Sequence, residues 1–266
     1  MGRKLDEFNG RFGFNDACYD IKYRNGRILC AGTYKPSIKM YDVEHQNIVV
    51  ERHCAEEIIK CEFVTDERNC ALRRDRMVEF YTKAGLLEKI KFKNECYDIK
   101  AVEGLLYVAG DKIGQFDMVK GEFADSIDCK AYEVTVDGGV IGVRNHRGLT
   151  FYDSRTNERI KSIEQEVVAF DTCGNSVVYS DERDVFELDR RNWNSSKVSV
   201  DFSDATVKHI KCIDPNNRIY GGNSTILFSR TNQNEDVGFI INRICLGQCR
   251  LFVGGESEQI SVYDLD

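Results

Sequence analysis

The sequence of 266 residues predicts an all-β fold built from seven similar units, and three observations carry this prediction. First, an apolar residue followed by a small polar one recurs every 35 to 40 residues. These pairs are Tyr41-Asp42, Tyr81-Thr82, Phe116-Asp117, Tyr152-Asp153, Leu188-Asp189, Phe228-Ser229 and Tyr263-Asp264. A period in this range, with each unit ending in a dipeptide of Trp-Asp type, is typical of a β-propeller blade of four short strands.

The second observation is that the first interval holds four segments of strand length. They are CYDIKYR (18–24), RILCAGT (27–33), SIKMYDV (37–43) and NIVVERHC (47–54). All four are rich in β-branched and aromatic residues, and Asn-Gly, Lys-Pro or polar turn residues separate them. The interval therefore has the composition of one four-stranded blade.

The third observation is that short copies recur at about twice the period. CYDIK occurs at 18–22 and again at 96–100, and SRTN occurs at 154–157 and again at 229–232. We therefore predict one domain over residues 1–266, a seven-bladed WD-repeat-like β-propeller. Its blades are expected to end near residues 54, 94, 128, 163, 202 and 240, and the last blade to combine 241–266 with 4–14.

The last blade requires a strand from the other end of the chain. Tyr263-Asp264 lies two residues from the C-terminus, so only three strands of that blade come from this end. An unpaired outer strand exposes backbone groups that invite aggregation. We therefore expect residues 4–14 to supply the outer strand and close the ring.

Composition favours a soluble protein of the cytosol or nucleus. The chain is 42% apolar, contains two prolines and has no apolar run near the roughly 20 residues of a membrane span, so we expect no membrane contact. Its formal net charge is −7, which argues against broad attraction to a phosphate backbone.

The eleven cysteines are expected to be small buried thiols in a reducing compartment. Their number is odd, no signal peptide precedes them, and they are scattered over predicted strands. The best candidates for metal ligands are His209 with Cys212 and Cys245 with Cys249. Neither pair closes on zinc from an extended strand. A turn at Gly247 leaves the second pair open as an alternative, but we predict no metal site.

The sequence contains no recognisable catalytic motif. It has no nucleophile elbow, no phosphate-binding loop and no dinucleotide-binding turn, so we expect no enzyme, no cofactor and no small-molecule substrate. The four histidines are interpreted as surface or core residues: His45, His53, His146 and His209. The only tryptophan, Trp193, lies outside the repeated dipeptides, so the blades are expected to cohere by apolar packing between them.

Basic residues cluster locally despite the acidic balance. The clusters are Arg68, Arg73, Arg74 and Arg76; Lys35 and Lys39; Arg144, His146 and Arg147; and Arg190 and Arg191. Two interpretations remain open. The clusters are a solvated face, or two of them share one rim of the disc and contact RNA phosphates or an acidic partner segment.

Three runs at 31–43, 49–63 and 72–85 carry a more specific pattern. In order they contain Gly32-Thr33-Tyr34-Lys35-Pro36, Tyr41-Asp42, Glu51-Arg52, Glu62-Phe63, Asp75-Arg76 and Glu79-Phe80. Together with GLTFYDSRTNER at 148–159, they resemble the propeller of the nucleolar protein ten family, WD-repeat factors of the small-subunit processome. Members of that family have a longer lead-in and a charged C-terminal extension, so the resemblance implies a reduced, propeller-only form.

The resemblance implies a non-catalytic scaffold in early precursor rRNA processing in the nucleolus. Its expected partners are other processome proteins and precursor rRNA. We expect GTYKP to act as a contact loop, because Gly32 permits a tight bend and Pro36 fixes the backbone. The predicted partner-binding residues are Gly32, Thr33, Tyr34, Lys35, Pro36, Arg73, Arg74 and Arg76.

Two alternatives belong to other functional classes. Tyr152-Asp153-Ser154-Arg155 and Leu188-Asp189-Arg190-Arg191 are degenerate forms of the Trp-Asp-x-Arg element found in substrate receptors of cullin-type ubiquitin ligases. An enzyme built around the central channel would instead require carboxylates or histidines that converge there.

Overall fold

The fold is all-β, as a computed structural model shows for residues 3–4, 16–32, 34–182, 184–204 and 206–265. These residues form 28 strands arranged in seven four-stranded antiparallel sheets, and no α-helix occurs among them. The first strand of each sheet contacts the first strand of the next, and the last contacts the first. The prediction of a seven-bladed β-propeller is therefore confirmed. None of the described residues forms a helix long and apolar enough to cross a membrane.

The strands of a blade are called first to fourth from the channel outward. Blade 1 consists of β2–β5: Cys18–Arg24, Arg27–Gly32, Ser37–Asp42 and Asn47–His53. Blade 2 consists of β6–β9: Ile58–Phe63, Arg68–Arg73, Met77–Thr82 and Gly85–Lys91. Blade 3 consists of β10–β13: Cys96–Val102, Leu105–Gly110, Ile113–Asp117 and Glu122–Ile127. Blade 4 consists of β14–β17: Glu133–Asp137, Val140–Asn145, Gly148–Asp153 and Arg159–Ile163.

The remaining three blades follow the same order. Blade 5 consists of β18–β21: Ala169–Cys173, Ser176–Ser180, Val185–Asp189 and Asn194–Val198. Blade 6 consists of β22–β25: His209–Asp214, Asn217–Gly221, Thr225–Phe228 and Gln233–Asp236. Blade 7 consists of β26–β28 and β1: Ile241–Gly247, Arg250–Gly255, Ser261–Asp264 and Arg3–Lys4.

The N-terminus closes the ring. Arg3 and Lys4 pair antiparallel with Asp264 and Tyr263, so β1 covers the outer edge of β28. The predicted joining of the N-terminal strand to the last blade is confirmed. The observed strand begins one residue before the predicted range, and residues 5–14 of that range lie outside the described residues.

The core lies between blades rather than within one central mass. Ile28 and Leu29 are consecutive in β3 and fully buried, yet they belong to different clusters. Ile28 packs with Phe252 of blade 7, whereas Leu29 packs with Cys61 of blade 2. Successive side chains of a strand point to opposite faces, and both faces of each blade are covered by a neighbour. The middle strands are therefore mostly buried on both faces, rather than buried on one face and exposed on the other.

The two residues of each repeated dipeptide have different roles in the fold. The first member is buried between blades, as Tyr41 and Phe116 show. The second member stabilises the turn that follows. The Asp117 carboxylate accepts the N–H groups of Val119 and Lys120, both at 2.9 Å. Equivalent bonds run to Asp42 from His45, to Asp153 from Arg155 and to Asp189 from Arg191.

The repeated CYDIK segment also has a structural task. The Asp20 carboxylate accepts the backbone N–H of Cys61 in the next blade, at 3.0 Å. In the second copy, Asp98 accepts the N–H of Val134 in blade 4, at 3.1 Å. Both aspartates are buried. The repeat therefore encodes a hydrogen bond that fixes one blade against the next.

The cysteines are free thiols at different depths. Five are buried: Cys18, Cys30, Cys61, Cys70 and Cys96. Cys249 is exposed instead, because the turn between β26 and β27 carries it. Among the described residues, no group of His, Cys, Asp and Glu side chains is arranged to hold a metal ion.

We predict that Phe116→Ala lowers the free energy of unfolding by roughly 3–5 kcal/mol, because the Phe116 ring packs with residues of blade 2 such as Phe80. Urea denaturation at equilibrium measures the change. The control is Leu87→Ala on the outer strand of blade 2, where the side chain is 56% exposed. This change should stay within about 0.5 kcal/mol of the parent chain. Equal effects of the two substitutions would contradict the burial of Phe116 between blades.

We predict that Asp189→Ala lowers the melting temperature at neutral pH and loses this effect in acid. The guanidinium and the backbone N–H of Arg191 lower the pKa of Asp189 to about 2. Since this pKa lies below the unfolded value of about 3.9, the stabilisation is present above about pH 4. It disappears as the pH falls toward about 2. Melting curves across this range test the expectation, and a difference that stays constant would refute it.

Candidate functional site

The two sequence motifs predicted to bind partners lie on one face of the ring. Strands of a blade run alternately up and down, so loops between second and third strands share a face with the connections between blades. Residues 33–36 join β3 to β4, and residues 74–76 join β7 to β8. The two loops belong to neighbouring blades. We call residues 34–36 and 74–76 together the rim.

A buried aspartate holds the first rim loop. Asp16 accepts the backbone N–H of Tyr34 on Oδ1 at 3.0 Å and that of Lys35 on Oδ2 at 2.8 Å. The Pro36 carbonyl accepts the N–H of Cys54 at 2.8 Å. Thr33 lies outside the described residues, and Gly32 ends β3. The loop is therefore fixed at both ends, through its backbone.

The Tyr34 side chain stands out from this fixed backbone. It is 74% exposed, and its hydroxyl donates to Glu256 Oε2 of blade 7 at 3.1 Å. The bond to this carboxylate raises the pKa of the Tyr34 hydroxyl. The Lys35 ammonium is exposed, and no carboxylate of the described residues pairs with it. The loop presents an oriented aromatic ring and a cation, as the sequence predicts.

Blade 6 repeats this use of an aspartate to hold the loop between its second and third strands. Asp204 precedes the first strand of blade 6 as Asp16 precedes that of blade 1. Its Oδ2 accepts the N–H groups of Asn223 and Ser224 in the loop between β23 and β24, and that of Thr225 at the start of β24. A Cβ atom at Gly222 would lie 2.2 Å from the same oxygen, so the loop requires glycine there.

Arg73 faces the interior of blade 2, although its place among the arginines of this loop predicts a contact residue. Its side chain is 6% exposed. The guanidinium donates to Glu79 Oε1 at 2.6 Å and to Asp75 Oδ2 at 2.8 Å. Lys89 and the Tyr81 hydroxyl also donate to Glu79. Burial alone raises the pKa of Glu79, but these donors outweigh it and hold the pKa below its usual value.

Arg74 and Arg76 remain at the surface of the rim. Arg74 pairs with Glu57 in the connection between blades 1 and 2, with Nε 2.6 Å from Oε2. Arg76 has a positive φ of 69° and donates from Nη1 to the Lys93 carbonyl at 2.8 Å. No carboxylate of the described residues neutralises Arg76. Lys35 and Arg76 are thus the rim cations with charge available for a partner.

Three acidic residues support the rim without any signal in the sequence: Asp16, Glu57 and Glu256. Asp16 is 18 residues upstream of Tyr34, and Glu256 is 222 residues downstream. Nothing in the local sequence marks these acidic residues among the 44 in the chain. Their roles depend on contacts that form only when the blades are in place.

Charged side chains of the first strands line the channel. Equivalent positions along these strands hold Asp20, Lys60, Asp98, Glu133, Ala169, His209 and Arg243. Two residues further on, Lys100 lies 3.2 Å from Glu62 and Lys211 lies 3.1 Å from Asp171. The channel carboxylates therefore do converge, but cations lie beside them.

Arg243 joins opposite sides of the ring. Its guanidinium lies 3.4 Å from Asp20 of blade 1 and 3.3 Å from Glu133 of blade 4. Arg144 adds a second contact to Glu133 at 3.1 Å. Burial opposes charge on Glu133, yet Arg243 and Arg144 outweigh it and lower the pKa of this carboxyl. Both carboxylates are therefore held in ion pairs, and the pair of Arg243 with Glu133 spans the channel.

His209 is the histidine of the channel and is neutral there. Burial first, and the nearby Arg243 charge second, lower the pKa of His209 to about 4. Nε2 lies 3.2 Å from the Ile241 carbonyl of the next blade, so the neutral ring donates this hydrogen bond. Its place in the fold is a contact between blades 6 and 7.

In each Asp-x-Arg element, the arginine forms an ion pair with the aspartate of the same element. Arg191 Nη2 lies 2.7 Å from Asp189 Oδ2, and Arg155 Nη2 lies 3.5 Å from Asp153 Oδ2. Both pairs lie in turns between third and fourth strands, on the face opposite the rim. The geometry assigns these elements a role in turn stability.

Comparisons with known proteins define the relatives of the chain. Residues 7–265 match the family model described as "Nucleolar protein 10-like, N-terminal domain". The ribosome biogenesis protein enp2 homolog of Schizosaccharomyces pombe is 24% identical over 201 residues, which are 73% of this chain and 29% of the relative. Nucleolar protein 10 of Homo sapiens is 24% identical over 142 residues, which are 50% of this chain and 21% of the relative. The chain thus spans less than a third of the length of these relatives.

A solved structure supports the fold alone. The crystal structure of the computationally designed Ika8 protein aligns with a TM-score of 0.70 at 12% identity. The alignment covers 94% of this chain and 84% of the designed one.

We predict that Arg243→Met destabilises the ring by about 3–5 kcal/mol at neutral pH, because it leaves Asp20 and Glu133 without their shared partner. The loss should shrink toward about pH 5, since removal of the Arg243 charge raises the pKa of both buried carboxyls, although Lys22 still lies 3.7 Å from Asp20 and Arg144 still lies 3.1 Å from Glu133. Urea denaturation at neutral pH and at about pH 5 measures the change in the free energy of unfolding. The control is Arg155→Met, on a side chain that is 85% exposed. A loss from Arg243→Met that does not depend on pH would refute the ionic explanation.

Proposed function

The chain belongs to the nucleolar protein 10-like family, and on this premise we propose that it is a non-catalytic scaffold in ribosome biogenesis. The names of the relatives support this role, since one is called a ribosome biogenesis protein and another a nucleolar protein. We place the chain at early precursor rRNA processing for the small subunit, in the nucleus and nucleolus. The observation that carries the proposal is the match of the family model over residues 7–265.

The channel supports a role without catalysis. General acid–base chemistry requires a titratable group that is free to exchange a proton near the operating pH. The channel carboxylates Asp20 and Glu133 instead hold Arg243, and neutral His209 lies beside the Ile241 carbonyl. These groups stabilise the ring.

The rim is the proposed contact surface for partners. We propose that residues 32–36 with Arg74 and Arg76 contact other small-subunit processome proteins and precursor rRNA. Tyr34 offers an exposed aromatic ring on a fixed backbone, which costs little conformational entropy on binding. Lys35 and Arg76 supply the charge for acidic segments or phosphates. Arg73 contributes indirectly, because its bonds to Asp75 and Glu79 hold the second rim loop.

We predict that a rim variant dissociates from pre-ribosomal particles. The variant combines Tyr34→Ala, Lys35→Ala, Arg74→Ala and Arg76→Ala and leaves buried Arg73 in place. Sedimentation of the tagged chain in cell extracts, with sequencing of crosslinked RNA, measures association. We expect the parent chain to co-sediment with particles that contain precursor rRNA, and the variant to move to free fractions.

The matched control removes four exposed basic side chains from the opposite face: His45→Ala, Lys83→Ala, Arg155→Ala and Arg191→Ala. We expect it to sediment like the parent chain. A parent chain absent from pre-ribosomal particles would refute the proposed function. A parent chain and a rim variant that sediment alike would refute the rim as the contact surface and leave the function standing.

A further inference from the structure

An apolar groove lies between blades 2 and 3, on the same face as the rim. It has a volume of about 370 Å³. Its apolar floor is formed by Phe92, Cys96, Val108, Gly114 and Phe123. We call this the blade 2–3 groove. Phe92 follows the outer strand of blade 2, and the other four residues belong to blade 3.

Phe123 is an exposed but rigidly held ring. Although 53% of this residue is exposed, its ring makes edge contacts with Phe92 and Phe116, each with centroids 5.4 Å apart. Ring pairs of this kind contribute beyond the area that they bury. The groove therefore offers a preformed apolar surface, and binding there need not order the Phe123 side chain first.

Cations surround the groove on an otherwise acidic protein. Lys91, Lys93 and Lys112 line it, and Arg76 of the rim adjoins it through a 2.8 Å bond to the Lys93 carbonyl. Two carboxylates line it as well, those of Glu95 and Asp111. Asp111 lies 3.8 Å from Lys130 and Lys112 lies 3.5 Å from Asp128. Within the described part of the chain, no carboxylate pairs with Lys91 or Lys93.

We propose that the blade 2–3 groove binds an extended segment of a partner protein that inserts one large apolar side chain and carries Asp or Glu on either side of it. The apolar floor calls for a hydrophobic anchor, and the excess of cations at its edge complements acidic flanks. Its volume falls within the range of pockets that enclose a compact ligand group. The proposal deepens the scaffold function and rests on it only for the premise that the chain has protein partners.

Nucleic acid fits the groove less well than a peptide. Bases stack on aromatic faces within a positively charged track that follows the backbone. Here Phe123 presents one exposed ring, and Glu95 and Asp111 interrupt the cations. An acidic peptide with an apolar anchor matches both the floor and the edge.

The test is a selection of random dodecapeptides displayed on phage against the purified chain. We expect enriched peptides to share one Phe, Trp, Leu or Met flanked by Asp and Glu. Synthetic fluorescent copies of these peptides then give dissociation constants by anisotropy. A selection that enriches nothing, or only basic peptides, overturns the proposal.

Two variants assign the binding to the groove. Gly114→Leu places a large side chain in the groove, and its Cβ would lie 3.5 Å from the nearest atom, in Phe123, which is an ordinary van der Waals contact. The double substitution Lys91→Glu with Lys93→Glu reverses charge at its edge and leaves the floor intact. We expect each variant to raise the dissociation constants of the selected peptides by about tenfold or more. Thermal melts confirm that both remain folded.

The matched control is Lys83→Glu with Lys161→Glu, which makes the same change of charge at two exposed lysines away from the groove. We expect its affinity to remain within about twofold of the parent. Peptides that bind all these chains equally well would place the site elsewhere and overturn the proposal. Peptide binding is measured without pre-ribosomal particles. A failure of the peptide test therefore overturns the groove proposal only, and the scaffold function is tested separately by sedimentation.

Discussion

Burial of both faces of every blade against its neighbours is the constraint on which this structure depends. Each sheet is too small to enclose a core of its own, so Ile28 and Leu29 face two different blades although they are adjacent in sequence. Such an arrangement leaves no uncovered face only if the sheets return on themselves. The pairing of β1 with β28 and the contact of β2 with β26 complete the ring. The loops then occupy fixed positions on the two faces.

Within this apolar framework, charged side chains form specific hydrogen bonds and ion pairs between blades. Asp20 accepts a backbone N–H of blade 2 and also pairs with Arg243 of blade 7, so one carboxylate links three blades. Arg243 extends the network across the channel to Glu133. A buried ion pair of this kind contributes less to net stability than apolar packing, but removal of one partner is costly. The network therefore favours one register of the blades around the channel.

The rim and the blade 2–3 groove lie next to each other on the same face but differ in chemistry, since the rim is mainly basic and the groove has an apolar floor. Arg76 belongs to the rim and reaches the Lys93 carbonyl beside the groove. At one end Tyr34 projects from a backbone held by Asp16, and at the other Phe123 is held by two neighbouring rings. Both aromatic side chains are ordered before a partner arrives. A scaffold gains from such preorganised contacts, because binding then spends less free energy on ordering its surface.

The sequence by itself determined the seven-bladed β-propeller, its closure by the N-terminus and the exposed Tyr34 loop. These features follow from local periodicity and turn residues, which the chain carries whether or not it is folded. Only the tertiary structure showed that Arg73 is buried and Arg74 is exposed, since burial of Arg73 depends on its ion pair with Glu79 in the next strand. It alone joined Arg243 to Glu133, 110 residues apart, and placed Phe92 against Phe123. The physical reason is that these contacts form between strands or between blades, and no local pattern records which residues the folded ring brings together.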